Sequence, residues 1–199
     1  VRFSDLYGQK HRLFVPGRDD EVMKAITVLF PYPWLLALNK KPHETRPWNF
    51  PSNYRGPLAI HVSKSRKPWH MNLSHEEPFY SALEALHGDA ILNNGKCSIL
   101  TPGMGCIIAV CELADVLRIE EGGLYQRVKL PGMVSGSEEM EVRIAPLPGE
   151  PERSFGDYSS GRKALVLQSM RVLETPVPCR GQQGLWNVPE EIEEMIKIA

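Results

Sequence analysis

Ala25-Ile26-Thr27-Val28-Leu29-Phe30-Pro31-Tyr32-Pro33-Trp34-Leu35-Leu36-Ala37-Leu38 is where a periodic signal first appears in this chain. Its first five residues are short, β-branched and apolar, which predicts a strand over 25–29. Pro31 and Pro33 end that strand, and Pro33 suits the first turn of a short helix over 34–38. Outward from there, Pro42 and Pro47 keep 43–48 extended. Leu58-Ala59-Ile60-His61-Val62-Ser63 alternates after the turn residues Gly56-Pro57, and so reads as a strand. Ser74-His75-Glu76-Glu77 has the form of a capping box, predicting a helix through Tyr80, Leu83 and Leu86 that Gly88 stops. Cys106 to Cys111 is the most apolar run and the best buried strand, and Ala164 to Val172 is another. Between them, 120–153 is rich in Glu, Gly and Pro and reads as a surface excursion. Pro189 opens an amphipathic tail helix with Ile192, Met195 and Ile196 on one face.

Short strands that do not alternate regularly with long helices argue against a doubly wound parallel sheet. They predict an α+β fold: a small mixed β-barrel with flanking helices. Ile26, Val28, Leu58, Ile60, Ile107, Ala109, Leu165 and Leu167 are the apolar alternates of the four best strands and form the expected core. The predicted organisation is an extension over 1–22, a domain over 23–188 and the tail helix over 189–199.

Composition sets limits on function. The 199 residues are 42% hydrophobic and 24% charged, values of an ordinary globular chain. The net charge of -1 gives no global attraction to polyanions, so any such case is local. Cys97, Cys106, Cys111 and Cys179 include no Cys-x-x-Cys pair, which argues against a zinc ribbon and for reduced thiols in a cytoplasmic protein. No apolar run approaches the ~20 residues of a membrane span, so no membrane partner is expected. A deaminase zinc motif fails at Gln182, where the second cysteine belongs. A phosphate loop fails at Ala90 and Cys97 around Gly95-Lys96. No metal site or cofactor is expected.

The charge is concentrated. Between residues 40 and 67 stand Lys40, Lys41, Arg46, Arg55, Lys64, Arg66 and Lys67 against Glu44 alone. Trp48, Phe50, Tyr54 and Trp69 interleave or adjoin them. Cations pair with phosphates and aromatic faces stack on unpaired bases, so the stretch is a candidate nucleic-acid surface. On an alternating strand Glu44, Arg46 and Trp48 share one face and Thr45 takes the other. A carboxylate and a guanidinium on one face either form an ion pair or read the donor and acceptor edges of a base.

These segments resemble a known family. Ala25-Ile26-Thr27-Val28 followed by Pro33-Trp34 is similar to the opening strand and turn of ASCH (activating signal cointegrator homology) proteins. Lys41-Pro42-His43-Glu44-Thr45-Arg46 resembles their K-x-x-E-x-R element. The glycine usual two residues before the lysine is Asn39 here, which also tolerates a left-handed backbone. Tyr54 to His61 resembles the strand that follows, and Phe155 to Arg162 and Gly181 to Trp186 resemble late segments of one subgroup. The match spans 23–188 in order.

The resemblance implies a PUA-like barrel and a cleft walled by the K-x-x-E-x-R element. It implies RNA or a modified nucleoside as partner. Lys41, Arg46, Arg55 and Lys64 would meet phosphates or base edges, Glu44 would accept from a base amino group, and Trp48 or Tyr54 would stack. Asp157, Tyr158 and Arg162 are expected to fold back and complete the rim. A hydrolase acting on RNA or a modified nucleoside is the alternative, with Lys41 or His61 in proton transfer and Glu44 orienting water. In the family's acetylcytidine amidohydrolase a lysine, a threonine and a glutamate act. Lys41 matches the lysine, and Glu44 occupies the threonine's place. A protein-interaction domain is the third reading. Trp186 is expected to pack in the core.

Overall fold

The computed structural model describes residues 22–51, 53–84, 103–129 and 139–199. Eight strands form one mixed sheet: β1 (Lys24–Val28), β2 (His43–Arg46), β3 (Gly56–Val62), β4 (Cys106–Glu120), β5 (Gly123–Lys129), β6 (Glu139–Ala145), β7 (Lys163–Pro178) and β8 (Leu185–Asn187). The helices are α1 (Tyr32–Ala37), α2 (Pro68–Leu73), α3 (Phe79–Ala82) and α4 (Glu190–Ile198), with a 3-10 turn at Glu152–Phe155. The strand order is β2-β7-β4-β3-β1-β8, and β5 and β6 extend from β4 as a ribbon. The class is α+β as expected, but the described sheet is open rather than a closed barrel: β2 and β8 end its path unpaired with each other. A side chain reaches across from β2 to β1, where Arg46 Nη2 donates to the Thr27 carbonyl at 3.0 Å.

Most elements read from the sequence are present. Asn39 ends the α1 turn at φ 54, the left-handed conformation that follows many helices. Its N–H donates to the Leu36 carbonyl, and those of Lys40 and Lys41 both donate to Leu35. That cap turns the chain sharply and delivers Lys41 to the start of β2.

Seven of the eight expected core residues are buried, and Leu167 packs partly buried against them. They do not form one core. Ile26, Val28, Leu58, Ile60, Ala109 and Leu165 line one face of the sheet. Ile107 lies in a second cluster with Ala25, Ala59, Val110 and Trp186. The cause is a register shift between Ile107 and Ala109 in the β4–β7 pairing. A bulge turns the residues on its two sides to opposite faces, so strict alternation fails there. Both faces of the central strands are covered, the second by α4 and β8. Trp186 is 5% exposed, as expected of a core residue.

Three expectations are corrected. The stretch 120–153 is not a structureless excursion, because β5 and β6 pair antiparallel within it and Leu124 and Ala145 are buried. Its Glu-rich sequence hid an edge ribbon with one apolar side. Ser74 does not cap a helix: its hydroxyl donates to the Met71 carbonyl and closes α2, while α3 starts after Pro78 with no side-chain cap. Glu77 accepts instead from the Ser81 hydroxyl at 2.7 Å. The predicted end of that helix at Leu86 and Gly88 lies outside the described residues. On α4, Ile196 is buried, but Met195 is 44% exposed, so the apolar stripe is narrower than expected. Cys111 and Cys179 carry free thiols, and Cys97 lies outside the described residues. Among the described residues no helix is long and apolar enough to cross a membrane.

Candidate nucleic-acid interface

The K-x-x-E-x-R element folds inward. Lys41 Nζ meets Glu44 Oε2 at 2.6 Å, and both residues are buried. Arg46 Nε lies 3.2 Å from Glu44 Oε1, close enough to pair, although without the alignment of a hydrogen bond. The Lys41 ammonium also sits 4.8 Å from the centre of the Tyr32 ring, a cation–π distance. Burial works against ionising Glu44, but the Lys41 and Arg46 cations and the Lys41 hydrogen bond outweigh it and hold the carboxyl below its ordinary range. Glu44 and Arg46 therefore share a face, as alternation predicts, and use it on each other. Trp48 leaves that face: β2 ends at Arg46, and the indole stands 75% exposed beyond it.

The 152–163 segment folds back onto β2. The Tyr158 ring packs edge-on to His43 at 6.4 Å, and His43 Nδ1 and the Tyr158 hydroxyl both meet Glu152 Oε1. Tyr158 is 7% exposed, so it belongs to the core and offers no stacking face on the rim. Burial, followed by the Glu152 charge, pushes its hydroxyl pKa up, leaving it a neutral donor. Arg162 pairs with Asp157 at 3.3 Å, and its Nε donates to the Asp157 carbonyl. Arg162 also lines a groove, and the buried Lys41 and Glu44 are not part of that groove's lining.

That groove has a volume of about 820 Å³ and runs between the turn after β2, the far half of β4, β5 and the Ser160–Lys163 segment. Trp48, Arg55, Arg118, Tyr125, Arg162 and Lys163 line it. Arg55 is anchored by Asp115, a carboxylate that also accepts from Gln126 Nε2 at 2.9 Å and from the Val116 N–H. Arg118 pairs with Glu120, and the Lys163 ammonium donates to the Phe50 carbonyl. These contacts fix each cationic head in place.

The remaining candidates lie elsewhere. Tyr54 is half-buried and its hydroxyl donates to the Pro57 carbonyl at 2.6 Å, so its position is structural. His61 is buried beneath Gly181, with Nε2 3.2 Å from the Cys179 carbonyl, and none of its contacts is with Lys41 or Glu44. Lys64 is exposed beside a separate cleft lined by Thr27, Ser63 and Arg180. The structure thus brings Trp48, Arg55 and Arg162 together, and keeps Lys41, Glu44 and Arg46 as a buried triad. Sequence reading missed Arg118, Tyr125 and Lys163. The alternation of Leu117, Ile119 and Leu124 with Arg118 and Tyr125 across Gly122-Gly123 was the available signal of a hairpin.

No family model matches this sequence, and no curated protein matches it. Among solved structures, the chain is similar to the crystal structure of a mutant of the ZmASCH protein from Zymomonas mobilis. That likeness has a TM-score of 0.43 and 11% sequence identity, and it covers 89% of this chain and 98% of the other.

Proposed function

We propose that this chain binds single-stranded RNA along the groove lined by Trp48, Arg55, Arg118, Tyr125, Arg162 and Lys163. The observation that carries this reading is their convergence: four cations and two aromatic rings arrive from separate segments onto one groove. Anchored guanidinium groups cost little entropy to engage and suit phosphate oxygens. An indole exposed over three quarters of its surface offers a stacking face to an unpaired base. A bare nucleoside carries no phosphate to engage the guanidinium edges that face the groove beside their carboxylate partners, which favours a strand as the partner. The resemblance of the sequence to ASCH proteins supports the same class of ligand.

The test is a fluorescence-anisotropy titration of a labelled single-stranded oligoribonucleotide and its duplex at several salt concentrations. The single strand binds more tightly, and log K falls with log salt at about 0.7 per neutralised phosphate. No binding at about 50 mM salt, or binding indifferent to salt, overturns the reading.

A further inference from the structure

We infer that a second cleft, at the carboxyl ends of β1 and β3, binds the phosphate monoester of a nucleotide. β1 and β3 are a parallel pair in which Thr27 stands beside His61. The crevice past the carboxyl ends of parallel strands is a recurrent ligand position in sheets. Here the chain leaving β3 supplies Ser63, Lys64 and Ser65, and the loop leaving β7 supplies Cys179 to Gln183. Two adjoining cavities of about 880 and 260 Å³ lie between them and share Thr27, Ser63, Cys179, Arg180 and Gly181.

Three observations give the cleft its chemistry. The first is charge without partners. Among the described residues Lys64 and Arg180, the cations that line the cleft, make no ion pair, and both are exposed. Glu191 is the acid that lines the cleft. The groove arginines contrast with them, since each holds a carboxylate of its own. The stem of Lys64 lies across Gly105, where φ is +76 and an added Cβ would fall 2.1 Å from Lys64 Cε. The backbone thus makes room for this lysine to lie along the cleft wall.

The second observation is a polar atom at the floor. Carbonyl oxygens accept only, so the Cys179 carbonyl, 3.2 Å from Nε2, calls for the imidazole proton of His61 on that nitrogen, and the Gly105 backbone also meets the ring. Nδ1 is then a bare acceptor, and it has no hydrogen-bond partner although His61 is only 2% exposed. Buried polar atoms of this kind call for a partner. Burial also lowers the histidine pKa, which keeps the ring neutral and Nδ1 able to accept. Beside it, Thr27 Oγ1 accepts from Trp186 Nε1 at 3.3 Å, leaving the threonine proton free to donate.

The third observation is the fit of the roof. A Cβ on Gly181 would lie 2.5 Å from His61 Nδ1 and 2.8 Å from Thr27 Oγ1. Only a glycine lets the loop lie over this acceptor and donor. A phosphate monoester matches the cleft above this floor: its oxygens meet Lys64 and Arg180, and His61 lies just beneath Gly181, close enough for its ring to report the ligand. The source is a free nucleotide or the phosphorylated end of a strand, and the two are separable by experiment.

The experiment is calorimetric titration of the whole chain with a nucleoside 5′-monophosphate, the matching nucleoside, and oligoribonucleotides with and without a terminal phosphate. The monophosphate is expected to bind roughly tenfold more tightly than the nucleoside, as a pair of charge-assisted contacts implies. The double variant Lys64→Ala/Arg180→Ala abolishes that preference while its unfolding midpoint stays in place, because both side chains are exposed. The His61 ring resonances shift on saturation with the monophosphate. A preference confined to the oligonucleotide pair assigns the site to strand ends, and one confined to the mononucleotide pair assigns it to free nucleotides. Equal binding of nucleoside and monophosphate, a preference that survives the double variant, or unmoved His61 resonances would each overturn the inference. Trp48→Ala separates the two sites: it weakens strand binding through the groove and leaves the monophosphate preference intact.

Discussion

Lys41 and Arg46 stand close to Trp48 and Arg55 in sequence, yet the fold gives the two sets opposite surroundings. The first pair is buried around Glu44. The second faces a groove open to solvent. Local charge counts treat all of these residues alike, but their physics differs. A buried carboxylate needs its cations because water is absent, so removing one cation strands a charge. A surface cation keeps its water, and removing it costs folding little while weakening a polyanion's attachment. The buried set therefore holds the edge of the sheet, and the exposed set faces the groove.

The comparison breaks first at Lys41. Lys41→Ala leaves Glu44 buried with only the misaligned Arg46 contact. It is expected to destabilise the fold by about 3–5 kcal/mol in urea or thermal unfolding. A loss below about 1 kcal/mol, typical of surface pairs, would move Lys41 to the exposed set.

Trp48→Ala is the opposite case. Strand affinity is expected to fall by about 1–3 kcal/mol, the worth of one base stack, with the unfolding midpoint unchanged. A stability loss comparable to that of Lys41→Ala, with affinity intact, would make Trp48 structural.

Acid sharpens the contrast. The folded pKa of Glu44 is depressed by its cations. Its stabilising contribution is therefore full above the unfolded value, about 4.3, and is lost as pH falls through that value towards the folded one. Urea midpoints measured from neutral pH downward are expected to drop in that window for the wild type and to drop less for Glu44→Gln. An equal drop in both would remove Glu44 from the account.

The smallest effect is at the groove rim. Arg118→Ala and Arg162→Ala are each expected to lower the salt slope of strand binding by about 0.7, with unfolding shifted by less than about 1 kcal/mol. An unchanged slope in both variants would place the phosphates elsewhere.

Sequence reading reached different depths in different places. Strands β1, β3 and β7 were legible because apolar alternation and flanking prolines act locally. Ile107 was assigned to the wrong cluster because a bulge is a property of the pairing, and one strand's pattern does not record it. The one-face placement of Glu44 and Arg46 was legible from alternation, but their burial was not, since it depends on α1 and Tyr32 closing over Lys41. Ser74 matched a capping box by spacing, yet it closes the helix before it, because a short motif does not fix which helix it serves. Half of the groove was invisible for a related reason. Arg118, Tyr125 and Lys163 lie far along the chain from the basic stretch, and only the β4–β7 and β4–β5 pairings bring them to Trp48.

The most direct test of the division between buried triad and exposed groove is ultraviolet cross-linking of the full chain to a single-stranded oligoribonucleotide, with the attached peptides identified by mass spectrometry. Cross-links are expected at Trp48 and Tyr125, whose rings line the groove. Cross-links absent from both rings, in a protein that still binds the strand, would contradict the account.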